Sequence, residues 1–166
     1  MSSNFDFLLA EERFASFASK AVNAEKTLGI SASISALSTR TALEAAVKWI
    51  YCNDGEFNTP TDTTLSNLIS DKDFQQIIDD KLVNILYFIK RLGNKAAHDD
   101  SGIDRDDAIL ALRGLFEFCQ WIAYCYADSY EEQDFDDKLL PVEGESHSKI
   151  ELQKLRDELL GRVGKV

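Results

Sequence analysis

Proline and glycine are scarce, two Pro and eight Gly in 166 residues. This disfavours a turn-dense all-β architecture and removes collagen-like and low-complexity readings. Cations are also outnumbered: 18 Lys and Arg stand against 29 Asp and Glu, a formal charge of −11. A net negative field of that size opposes free-standing binding to nucleic acid unless a local basic patch is hidden in the average. The three cysteines, Cys52, Cys119 and Cys125, are an odd set without Cys-x-x-Cys spacing, and neither His98 nor His147 is placed to join them. Core cysteines in a reduced protein are therefore expected, and a metal site is not. No basic segment precedes an apolar stretch at the start, and no uncharged apolar run nears the roughly 18 residues of a membrane span, so a soluble cytoplasmic protein is expected. There is no internal repeat and no phosphate-binding glycine loop; Gly93-Asn94-Lys95 is not one.

What the chain does contain is helical periodicity. Apolar or small residues recur at helical spacing from Leu9 to about Leu28, with Gly29 as a C-cap. Ser31 is placed to cap a long second helix that ends near Asp54-Gly55 and is apolar on more than one face. After an irregular connection over Glu56 to Asp62, short helices are expected around Leu65 to Ile69 and Phe74 to Ile78. A third long helix starts near Asp79 or Asp80 and runs toward His98. Asp104 then opens a fourth, with Ala108, Ile109, Leu112, Leu115, Phe116, Cys119 and Ile122 at steps of three and four.

The fold class is therefore all-α, a four-helix bundle over residues 1–130 with short extra helices. Residues 131–147, acidic and carrying Pro141 and Gly144, read as a solvated linker. Residues 148–166 read as an amphipathic helix, capped by Ser148 and carrying Leu152, Leu155 and Leu159, that leads toward a following domain. The aromatics Phe116, Phe118, Trp121, Tyr124 and Tyr126, and likewise Trp49 and Tyr51, are expected in the core rather than as base-stacking residues.

The third helix is the exception to the acidic average. From Lys81 to His98 it carries Lys81, Lys90, Arg91 and Lys95 and no carboxylate. Seven residues at about 100° each bring Arg91 and His98 to one side, roughly 10 Å apart, with Asn94 beside them. Lys90, Arg91 and Lys95 could hold a phosphate. Arg91 could neutralise a phosphodiester while His98 acts as general acid or base, with no metal. The competing reading is structural: Gly93 marks a close helix approach or a helix end, with Asn94 and His98 satisfying backbone groups.

The string Arg91-Leu92-Gly93-Asn94-Lys95-Ala96-Ala97-His98, closing a hydrophobic helix and followed by another long apolar one, resembles the hallmark of the HEPN superfamily (higher eukaryotes and prokaryotes nucleotide-binding domain). With Asn4 to Leu8, Thr41 to Tyr51, Leu65 to Ile69 and Asp106 to Trp121, residues 4 to 130 are similar to the HEPN-like family that opens type I restriction endonuclease R subunits. The resemblance implies an up-and-down four-helix bundle that dimerises through the helix bearing Arg91 and His98. It implies an accessory or assembly domain within a restriction-modification defence complex, whose other domains or subunits are its partners and through which nucleic acid is met.

On that reading the parent protein is a DNA endonuclease and ATP-dependent translocase. ATP and Mg belong to its other parts, and this chain holds no cofactor and no catalysis of its own. The alternative implied by the same family is a metal-independent endoribonuclease in which Arg91, His98 and Asn94 are catalytic. Active members mostly carry a polar residue after the arginine, where this chain has Leu92.

Overall fold

In the computed structural model, residues 2–98, 102–142 and 155–161 are described. A short helix α1 (Asp6–Leu9) and a 3₁₀ turn over Glu12–Phe14 lead into α2 (Ala15–Lys26). A second 3₁₀ turn, Thr27–Gly29, brings the chain to Ser31. There the backbone is extended and the hydroxyl accepts a hydrogen bond from the amide of Ile34 at 3.0 Å, so α3 (Ala32–Asn53) begins where the capping residue predicts. Thr64 and Asp71 cap α4 (Leu65–Ser70) and α5 (Lys72–Ile77) in the same way. The long pair α6 (Asp80–His98) and α7 (Arg105–Tyr126) completes the set. Among the described residues there is no strand.

Side-chain contacts give the directions. Phe14 and Phe17, at the start of α2, meet Trp49 near the end of α3, so these two run antiparallel. Trp49 also meets Tyr126 at the end of α7, so α3 and α7 run parallel. Arg40, in the first half of α3, lies against Gly93 near the end of α6, so α6 is antiparallel to both. The result is an up-and-down bundle with α3 at its centre, packed on α2, α6 and α7. This position explains why α3 is apolar on two faces: Leu37, Leu43, Val47 and Ile50 are all fully buried.

Several expectations need correction. The first long helix starts at Ala15 rather than Leu9, because the chain bends through the turn at Glu12–Phe14. Gly29 is not a left-handed cap. Gly102 is the glycine with positive φ among the described residues, whereas a Cβ on Gly29 would lie 3.1 Å from Pro141. Of the cysteines only Cys119 is buried; Cys52 and Cys125 are exposed near the ends of their helices. Tyr124, expected in the core, is 71% exposed, while Phe116 and Phe118 are buried. The helix α7 is long and apolar enough to cross a membrane. Here Ala108, Leu112, Leu115, Phe118 and Ile122 turn its apolar side into the bundle.

The acidic segment after Tyr130 runs back along the bundle as far as Val142. Asn4 accepts a hydrogen bond from the Asp136 amide at 2.7 Å and donates to the Asp136 carbonyl at 3.1 Å. Tyr130 donates to Gln120, Phe135 packs edge-on to Phe116, and Arg105 donates to the Pro141 carbonyl. Residues 155–161 are helical, and Leu159 is buried in the common core. Ser148, Leu152 and residues 143–147 lie outside the described residues.

Candidate functional site

The α6 sequence separates two faces. Leu82, Leu86, Ile89, Leu92 and Ala96 are buried, while Lys81, Asn84, Arg91, Lys95 and His98 are exposed on the opposite side. Arg91 and His98 therefore share one side of a continuous helix, as the seven-residue spacing requires. Asn94 flanks them, half-buried. Lys90 is not part of this group: its ammonium donates to the Ser66 hydroxyl of α4 and lies 5.8 Å from the Tyr87 ring. The phosphate-binding set expected from the sequence is thus divided, with Arg91 and Lys95 outward and Lys90 bonded inward.

Gly93 has a packing role. A Cβ there would stand 2.5 Å from the Cβ of Arg40 and 2.7 Å from its Cδ. The arginine stem can cross α6 there only because residue 93 carries no side chain. Arg40 itself is 4% exposed. Its terminal nitrogen reaches Glu44 at 3.5 Å, its Nε has no hydrogen-bond partner among the described residues, and Glu44 also pairs with Lys48 at 3.0 Å. Burial pushes the Arg40 guanidinium below its usual range, and the Glu44 carboxylate works against that shift.

Sequence reasoning missed Arg40, because an arginine on a helix reads as solvent-facing. The signal was there in its position between the buried Leu37 and Leu43, with Glu44 one turn on.

Two cavities stand out among the described residues, and neither is lined by Arg91, Asn94 or His98. The larger, about 910 Å³, lies between the first half of α6, the outer side of α7 and the segment from Tyr130 to Phe135. On the stripe itself Arg91, Lys95 and His98 are exposed. Among the described residues no group of three or more His, Cys, Asp and Glu side chains could hold a metal ion.

The comparison with known families bears on the same helices. A family profile described as "Domain of unknown function (DUF4145)" matches residues 22–139, which is more than two thirds of the chain. The chain belongs to the DUF4145 family. The matched region spans α3 to α7 and the last five residues of α2, together with the returning segment as far as Leu139. No curated protein and no solved structure gives a significant match.

Proposed function

We propose that this DUF4145 chain is a HEPN-like interaction and assembly module, serving a type I restriction R subunit or a close relative, with the outer side of α6 as its contact face. The observation that carries the reading is the exposure of Arg91, Lys95 and His98 along one helix side that belongs to neither cavity. Catalysis within one protomer needs an enclosed place where a reacting atom meets its acid, base and charge stabiliser. An exposed polar and basic stripe suits a partner surface instead, either a second copy or a neighbouring domain.

The test pairs sedimentation analysis with an RNA-cleavage assay in chelator, on the native chain and on Arg91→Ala and His98→Ala. Loss of self-association, or of association with the remainder of the restriction complex, in Arg91→Ala with no cleavage by any form is expected.

A second reading is favoured by the same exposure. Two protomers apposed through α6 would bring two arginines and two histidines to one cleft. They could then act as a metal-independent ribonuclease. Chelator-resistant cleavage abolished by His98→Ala would replace the assembly reading with this one.

A further inference from the structure

The larger cavity is a groove with a chemistry distinct from the α6 stripe. One wall is apolar, formed by Ile85 and Phe88 of α6 with Phe135 of the returning segment. Leu110, which also lines it, is 54% exposed and extends the apolar surface toward solvent. Its lining also includes the exposed carboxylates Glu117, Glu132 and Asp134, an acidic rim. Of the two cations that line it, Arg113 is held in an ion pair with Asp137 at 2.5 Å and lies over the Phe135 ring, which leaves Lys81 against three carboxylates.

Gln120 adds a fixed donor. Its Oε1 accepts from the Tyr130 hydroxyl at 2.8 Å and from the Gln133 amide at 3.3 Å, so the orientation of the amide is determined. Its Nε2 is buried and has no hydrogen-bond partner among the described residues, although the residue lines the groove. A buried donor without an acceptor is costly and points to a group still to arrive.

We infer that this groove binds a peptide segment carrying large apolar side chains interspersed with Lys or Arg. The apolar wall takes the apolar side chains, and the acidic rim pairs with the basic ones. The Gln120 amide donates to a backbone carbonyl of the peptide once the side chain is uncovered. Phosphate-bearing ligands are disfavoured by the three carboxylates. The site does not depend on the role of Arg91 and His98.

Fluorescence anisotropy with two labelled heptapeptides tests it: acetyl-Lys-Leu-Lys-Phe-Arg-Leu-Lys-amide and the same sequence with every Lys and Arg replaced by Glu. The basic peptide should bind the full chain, weaken as salt rises, and bind at least tenfold more weakly to the surface variants Leu110→Glu and Glu117→Lys with unchanged circular dichroism. The acidic peptide should not bind, and Arg91→Ala with His98→Ala should leave affinity unaltered. Equal binding of both peptides, no binding of either, or loss only in the Arg91 and His98 double variant would each overturn the groove proposal. None of these outcomes alters the assembly or cleavage readouts of the α6 stripe.

Discussion

The stem of Arg40 crosses α6 at the backbone of Gly93, close enough that a methyl group there would overlap the arginine's own Cβ. The contact sits at the root of both side chains, so no rotamer change relieves it. Gly93→Ala should therefore destabilise the protein by about 1–3 kcal/mol from overpacking, offset by at most about 1 kcal/mol of better helix propensity. Arg40→Met, which removes a buried and poorly paired charge while keeping the volume, should be neutral within about 1 kcal/mol or stabilising. Urea unfolding of both variants checks this. A Gly93→Ala protein as stable as the parent would remove the packing explanation of the glycine.

Asn4 links three parts of the chain. Its side-chain nitrogen donates to Glu25 at 2.6 Å, its backbone amide donates to the same carboxylate at 3.2 Å, and its side chain also bonds both backbone groups of Asp136. Glu25 is 2% exposed and has no solvent to replace a lost donor. Asn4→Ala should lower stability by about 2–3 kcal/mol, the scale of a buried hydrogen bond to a charged group. Hydrogen exchange should show faster exchange at the Asp136 amide and its neighbours. Unchanged exchange there would mean the returning segment is held without Asn4.

Alkaline pH probes the other end of the bundle. Tyr126 donates to the Asp54 carboxylate at 2.7 Å, and burial together with that bond raises its pKa well above the ordinary value. A raised folded pKa gives stability that is fully present below the unfolded value, about 10, and is lost as pH climbs through the folded value. Tyr126→Phe should thus cost about 1 kcal/mol near pH 8, and its deficit should shrink above pH 10. Unfolding midpoints of the two proteins from pH 8 to 11.5 measure the difference, and parallel curves would contradict the assignment.

The elements that were legible in the sequence are those governed by local signals. Ser31 marks the start of α3, and the apolar stripe from Leu82 to Leu92 marks the inner face of α6, because capping and periodicity act within one or two turns. The exposure of Arg91, Lys95 and His98 followed from the same periodicity. What the sequence did not reveal depends on distant partners. The returning segment looked like a solvated linker because its composition is acidic, yet its anchors are Asn4, 132 residues away, and Gln120 and Arg113 on α7. Arg40 was missed for the related reason that its burial is imposed by α6, not by its own helix. The groove is formed by three separate stretches and has no signature in any one of them.

Gly114 repeats on the other side of α6 what Gly93 does on the first: a Cβ on Gly114 would stand 2.6 Å from the Ile85 side chain. The helix is therefore keyed on two sides, by Arg40 entering at Gly93 and by Ile85 entering at Gly114. Turning or sliding α6 by a fraction of a turn would disengage both keys at once. Its outer side then acts as a rigid ruler, with Lys95 about 6 Å and His98 about 10 Å along the axis from Arg91. A partner must match that fixed spacing, because the helix cannot adjust to the partner.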